Sequence, residues 1–191
     1  MRKLTAFMHM SLDGFAAGPN GELDWVAYDE ELQTYAATIV NTVGIALYGR
    51  VTYHMMEYWR TVPDNPDSTE HERNHAAWIE QIPKVVVSTT PTSVDWHNTT
   101  LITDNLVAAI EELKQQPGKD IVIFGSPSLT QALAQFGLVD EYQLTVSPVL
   151  LGKGIQFFAP LAEKQALQLV SHRVFASGAL GLHYQKVAMR M

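Results

Sequence analysis

The 191-residue chain contains no cysteine. Disulfides, thiolate metal ligands and a cysteine nucleophile are thereby excluded, and a reducing compartment such as the cytoplasm is the expected setting. Basic charge is scarce as well: 13 Lys and Arg stand against 20 Asp and Glu, a formal net charge of −7, and the cations are not clustered. Holding a nucleic acid requires grouped cations that displace phosphate counterions, so no nucleic-acid surface is expected. No uninterrupted apolar run approaches the ~20 residues that cross a bilayer, and no membrane partner is expected. The first residues, Met1-Arg-Lys-Leu-Thr-Ala-Phe-Met-His-Met-Ser-Leu-Asp13, place two basic residues before an apolar run. His9 interrupts that run and Asp13 ends it without a small-residue cleavage pattern, so it reads as a buried strand and not as a leader.

What is present is apolar material, 47% of the residues, enough for one well-buried domain over residues 1–191. Apolar runs predict strands at Leu4–Met10, Val43–Tyr48, Lys84–Ser88, Leu101–Ile102, Ile121–Phe124, Glu141–Val146, Leu167–Phe175 and Ala179–Ala188. Helical spacing predicts helices over Asp29–Asn41, Asn105–Gln115 and Ser128–Phe136. Strands alternating with helices imply an α/β fold with a mixed, mainly parallel sheet covered on both faces. At the end of the chain, strands follow one another without helices, and Ser177-Gly178 predicts the turn of an antiparallel C-terminal hairpin. The Pro/Asp-rich stretch Thr61–Ser68 reads as a long loop.

Two apolar runs break at a glycine in a way that suits anions. Ile121-Val-Ile-Phe-Gly-Ser-Pro-Ser-Leu129 passes from strand through Gly125 into a helix, where free backbone N–H groups attract phosphate. Val43-Gly-Ile-Ala-Leu-Tyr48 breaks at Gly49, followed by Arg50, whose planar fork suits phosphate, and Thr52. Two such strand ends suggest a dinucleotide. A third run, Val85-Val-Val-Ser-Thr-Thr90, ends in hydroxyls that could meet a phosphate or ribose or simply suit a turn. The cluster Asp29-Glu30-Glu31 opens a helix, where negative charge is favourable in any case; a carboxylate there could also bind or protonate an N-heterocycle. His71-Glu-Arg-Asn-His75 matches the zinc-hydrolase pattern H-E-x-x-H, against the simpler account of a surface helix with two stacked imidazoles.

Five ordered segments, Ser11-Leu-Asp-Gly14, Gly49-Arg-Val-Thr-Tyr53, Lys84-Val-Val-Val-Ser88, Phe124-Gly-Ser-Pro-Ser-Leu129 and Leu138-Val-Asp-Glu-Tyr-Gln-Leu-Thr-Val-Ser-Pro-Val-Leu-Leu-Gly152, resemble the dihydrofolate reductase-like fold. Within it they are most similar to the reductase domain of riboflavin biosynthesis, the RibD C-terminal family. The resemblance implies a three-layer fold with NADPH across the strand ends. Gly125, Ser126, Ser128 and Leu129 would meet its pyrophosphate, and Gly49, Arg50 and Thr52 its phosphates from the other side. Ser88 and Thr89 would lie near the adenosine 2′-phosphate, and Ala16 and Ala17 would border the nicotinamide. Asp13, Trp25, Tyr53, Pro148 and Leu150 would surround the substrate. Counting from Trp25 to the pterin-binding carboxylate of folate reductases points to Glu30 or Glu31 as the catalytic acid. A homodimer is expected because relatives pair through sheet edges, and no deaminase domain is expected because the chain begins at the reductase's first strand.

Two departures narrow these expectations. Relatives often carry Arg after the strand-end serine where this chain has Thr89, so NADPH preference rests on Arg50. The segment that is basic in riboflavin reductases is here the acidic Val26-Ala-Tyr-Asp-Glu-Glu-Leu-Gln-Thr-Tyr35, which would repel a substrate phosphate. The expected protein is an NAD(P)H-dependent reductase of a small heterocyclic substrate, holding no metal. The alternatives are a zinc hydrolase using His71, Glu72 and His75, or a non-catalytic nucleotide-binding protein of the same fold.

Overall fold

In a computed structural model, which describes residues 1–187, ten strands and five α-helices are arranged around one large sheet. In chain order these are β1 (Leu4–Ser11), β2 (Phe15–Ala17), α1 (Glu30–Val40), β3 (Val43–Gly49), α2 (Arg50–Met56), α3 (Glu70–Gln81), β4 (Lys84–Val87) and β5 (Thr99–Ile102). They are followed by α4 (Leu106–Gln115), β6 (Asp120–Phe124), α5 (Pro127–Gln135), β7 (Glu141–Ser147), β8 (Ile155–Gln156), β9 (Leu167–Val174) and β10 (Leu180–Lys186). The eight-stranded sheet has the order β5-β4-β3-β6-β1-β7-β10-β9. Its first five pairings are parallel, and β10 runs antiparallel to both β7 and β9. This is the mixed, mainly parallel sheet with a C-terminal hairpin, turned at Ser177-Gly178 with Gly178 at φ +83°. Ala188, the expected end of the last strand, lies outside the described residues.

Alternation along the central strands assigns the two faces. Leu4, Ala6 and Met8 of β1 join Ile45, Leu47, Ile121 and Ile123 in a core closed by Ile110 of α4 and Leu129 and Leu133 of α5. On the other face Phe7 and Val122 pack with Ile39 of α1, and Tyr35, Trp78 and Phe124 lie against them. Because successive strand residues point to opposite faces, Thr5, Phe7 and His9 share this second face. That parity decides which side chains of β1 reach the cleft described below.

Two features were not legible as elements. β2 and β8, three and two residues long, pair in a separate small sheet and are too short to show any periodicity. Their clasp requires a glycine: a Cβ on Gly154 would stand 2.2 Å from the Ala17 carbonyl oxygen. The stretch Thr61–Ser68 is also less open than a Pro/Asp loop suggests. Val62–Asp64 forms a 3-10 turn, Val62 is buried, and the buried Ser68 hydroxyl donates to the Val62 carbonyl at 3.0 Å.

Lys84, at the start of β4, is buried with its ammonium donating to the carbonyls of Ile79 (2.7 Å), Ile82 (2.9 Å) and Glu80 (3.2 Å). These are the orphan acceptors at the end of α3, and a cation there also complements the helix dipole. The Trp96 ring lies 4.8 Å from the same ammonium. Together these contacts lock the end of α3 onto β4 and so fix the wall of the cleft that α3 forms.

Candidate active site

The carboxyl ends of β1, β3, β4 and β6, with α1, α2, α3 and α5, enclose a cleft of about 1030 Å³. This lies at the upper end of the ~300–1000 Å³ typical of small-molecule sites. Its centre is the pair of glycine turns after β3 and β6. Gly125 has φ +56° and Ser126 φ +54°, so the chain turns sharply into α5. The Ser126 hydroxyl accepts from the Gly49 N–H at 2.9 Å and donates to the Phe124 carbonyl at 3.0 Å, while the Ser126 N–H donates to Thr52 Oγ1 at 3.1 Å. The two turns are thus latched to each other. Ser128 and Leu129, in the first turn of α5, keep backbone N–H groups with no partner inside the helix, pointing out of its positive end. Arg50 opens α2 beside them and is the only Lys or Arg lining the cleft among the described residues.

Aromatic rings and neutral polar groups fill the rest. His75 of α3 lies between Trp59 and Trp78, with ring centroids 4.4 and 5.4 Å away. Burial pushes its imidazole down to about 4. On the other side β1 contributes His9, whose Nδ1 meets the Thr145 hydroxyl at 2.5 Å across the β1–β7 register pair. His9 stands edge-on to Phe7 and Tyr28 at 5.1 and 6.0 Å, and burial pushes it, too, down to about 4. From α1 come Gln33, Ala36, Ala37 and Val40, one helical stripe at spacings of three and four. No Asp or Glu lines the cleft among the described residues.

Residues 2–180 match the model of the RibD C-terminal domain. This chain belongs to the RibD C-terminal family. It is 31% identical over 183 residues to YyaP of Bacillus subtilis (strain 168), a protein of uncharacterized activity, covering 96% of this chain and 94% of YyaP. Among solved structures, a Shewanella sp. PV-4 protein named for riboflavin biosynthesis superimposes with a TM-score of 0.77 at 23% identity, over 97% of this chain and 99% of that one. Dihydrofolate reductase from Enterococcus faecalis, complexed with NADP(H), superimposes with a TM-score of 0.61 at 14% identity, over 96% of both chains. At such identities the likeness establishes the dihydrofolate reductase-like fold.

In this RibD C-terminal domain the residues expected at the cofactor, Ala16, Ala17, Gly49, Arg50, Thr52, Ser88, Thr89, Gly125, Ser126, Ser128 and Leu129, all line the one cleft. Several of their polar groups are already engaged within the chain. Ser126 and Thr52 form the latch, and the Ser88 hydroxyl donates to the Thr90 carbonyl at 2.7 Å.

The residues expected around the substrate lie elsewhere; none of Asp13, Trp25, Tyr53, Pro148, Leu150, Glu30 or Glu31 lines the cleft. Tyr53 is fully buried in the core beside Trp96, its hydroxyl accepting from the Trp96 N–H at 3.3 Å. Asp13 accepts from Ser11 Oγ, Gly152 N–H and Leu151 N–H at 2.6, 2.7 and 3.1 Å, tying the loop after β1 to the loop after β7. These donors, Ser11 foremost, hold its carboxyl below the usual range. Trp25 donates to the Glu22 carbonyl, and Leu150 is exposed. Glu31 accepts from the Ala176 N–H at 2.8 Å and from Arg173 at 3.2 Å, which binds the hairpin to α1 and lowers its carboxyl. Glu30 is exposed at the start of α1.

The zinc-like motif resolves into structure. Glu72 accepts from Thr69 N–H and Thr69 Oγ1 as part of a capping box that starts α3. His71 and His75 line the cleft with no third ligand, and no group of three His, Cys, Asp or Glu residues that could hold a metal exists among the described residues. His9, Tyr28 and Gln33 escaped the sequence reading. The signal for His9 lay in the parity of β1 and that for Gln33 in the rotation of the stripe on α1; Tyr28, ahead of α1, had no periodic signal.

Proposed function

We propose that this protein is a cytoplasmic NADPH-dependent reductase of a small heterocyclic substrate, with the 1–191 chain working as one catalytic domain. The observation that carries this reading is the latched pair of glycine turns, flanked by Arg50 and the open end of α5, within one cleft large enough for a dinucleotide and a second ring. A bound reduced nicotinamide supplies a hydride for addition to an electron-poor C=N or C=O carbon. The chain's own part is to bind and orient. Ser128 and Leu129 N–H groups and the Arg50 guanidinium receive phosphate oxygens. The aromatic wall formed by Trp59, His75 and Trp78 offers a flat ring a surface to stack on, and Ala16 and Ala17, small residues on β2, allow another ring to lie close to the sheet.

Arg50, as the sole cation in the cleft, sets the preference for NADPH over NADH. Dimerisation through the edge strand β9 completes the proposal, since Leu169, Val170 and Val174 on that strand are exposed and its outer side has no neighbouring strand among the described residues. Titration of the protein with NADPH, followed by nicotinamide fluorescence, tests the reading: saturable binding that is weakened in Arg50→Ala and weaker for NADH is expected. Absence of binding to either nucleotide overturns it. Tight binding without oxidation across a panel of pterins, flavins and pyrimidinones favours a non-catalytic nucleotide-binding protein instead.

A further inference from the structure

The part of the cleft beyond the glycine turns, between β1 and α1, is defined by what its polar groups are free to do. His9 has one nitrogen committed to Thr145, and its Nε2 has no partner among the described residues. The Tyr28 hydroxyl, on a ring that stands 6.0 Å from the His9 ring, and the Gln33 side-chain amide line the same cleft and are likewise without hydrogen-bond partners among the described residues. No carboxylate and no Lys or Arg joins them there. The nearest acidic groups are engaged on the rim: Asp29 caps α1 by accepting from the Leu32 N–H at 2.8 Å, and Glu31 and Asp13 hold loops. Arg50, the one cation of the cleft, belongs to α2 at the phosphate side.

We infer that His9 is a substrate-positioning residue: its free Nε2, with Tyr28 and Gln33, holds an uncharged ring that presents C=O or C=N edges, and the lobe excludes phosphorylated and carboxylated substrates. This rests on the reductase reading above and narrows its substrate class. A phosphate or carboxylate held against the buried His9 ring would be desolvated there without a cation to receive it, which is unfavourable. A neutral heterocycle meets only neutral donors and acceptors, and an imidazole can serve as either, according to its tautomer. Burial keeps that imidazole uncharged near neutral pH. The short bond to Thr145 orients the ring, since Thr145 is itself buried and directly opposite His9 in the sheet.

The test uses protein saturated with NADP⁺, which permits binding without turnover, and two probes: pteridine-2,4-dione, neutral, and its 6-carboxylate, anionic. Equilibrium binding of each is measured by calorimetry, and the histidine ring nitrogens are followed by ¹⁵N NMR in uniformly ¹⁵N-His-labelled protein. The neutral probe is expected to bind at least about tenfold more tightly than the carboxylate. It is expected to move the His9 Nε2 resonance and to lose about tenfold in affinity in His9→Phe, with partial recovery in His9→Gln. Thr145→Val should weaken binding less and shift the tautomer balance of His9. An unmoved His9 Nε2 resonance on binding, equal or tighter binding of the carboxylate, or no binding of either ring overturns the proposal. The wild-type resonance decides the matter even if His9→Phe does not fold. Failure of NADP⁺ itself to bind removes the reductase reading, and that is seen before either ring is added.

Discussion

The interior of the cleft and its rim treat ionisable groups in opposite ways. Inside, His9 and His75 lose solvent without gaining a charged partner, and both are driven neutral. On the rim, Asp13, Asp29 and Glu31 remain exposed to water yet collect N–H and hydroxyl donors, and all three are held ionised. Desolvation without a partner penalises charge, whereas hydrogen bonds to a carboxylate favour it. The rim therefore uses its charge to tie loops and helix ends together, and the cleft, Arg50 aside, is left with neutral groups for ligand contact. For the acid/base carboxylate expected from the sequence, no Asp or Glu lines the cleft among the described residues.

The largest test of this contrast is acidification. The folded-state values of His9 and His75, about 4, lie below the ordinary 6.5, so between those pH values the unfolded chain binds protons that the folded chain refuses. Stability is then full above about pH 6.5 and falls as the pH drops towards 4, by about 3 kcal/mol for each imidazole. Urea unfolding at pH 7, 5.5 and 4 should show the loss, and His9→Phe/His75→Phe should flatten it. A flat wild-type profile would mean that the cleft interior is wetter than its geometry implies.

Smaller in effect is Arg50→Ala, expected to weaken NADPH binding by about 2 kcal/mol through the loss of charge-assisted hydrogen bonds, with NADH affected less. Gly125→Ala should cost about 1–2 kcal/mol of stability, because φ +56° disfavours any side chain and a Cβ would lie 3.3 Å from Thr52 Cγ2; it should weaken NADPH as well by loosening the turn. The smallest effect belongs to the rim. Glu31→Gln removes charge from the bracket to Arg173 and Ala176 and should lower Tm slightly, leaving NADPH affinity and turnover of any accepted substrate unchanged. A fall in kcat by ~10² or more would restore Glu31 as an acid/base group and break the contrast between rim and interior.

How much of this was legible depended on whether the deciding chemistry was local. The strand ends at Gly49 and Gly125 announce themselves because a glycine after an apolar run fixes backbone geometry within a few residues, and both turns line the cleft. The mainly parallel sheet followed from alternating strands and helices for the same reason. The face of α1 that meets the cleft was another matter. Glu31 and Gln33 differ by about 200° around a helix, and only packing of Leu32 and Ile39 into the core determines which of them turns inward. Tyr53 follows the Gly49 turn in sequence but points into the core with Trp96. His9 looked like an interruption of an apolar strand; it becomes informative once the parity of Phe7 and Thr5 places it on the α1 side of the sheet. The pairing of β2 with β8 joins residues roughly 140 positions apart and left no local trace.

The bond from Gly49 to Ser126 spans 77 positions of the chain, and the return bond from Ser126 to Thr52 spans 74. Neither turn can take its final shape until β3 and β6 lie side by side. Nucleotide affinity should thus appear only once that pairing has formed, and be absent from any fragment that stops before β6. Bound dinucleotide would act as a rivet between the two strands, and protease resistance in its presence should rise across the entire sheet, not only at the turns it touches.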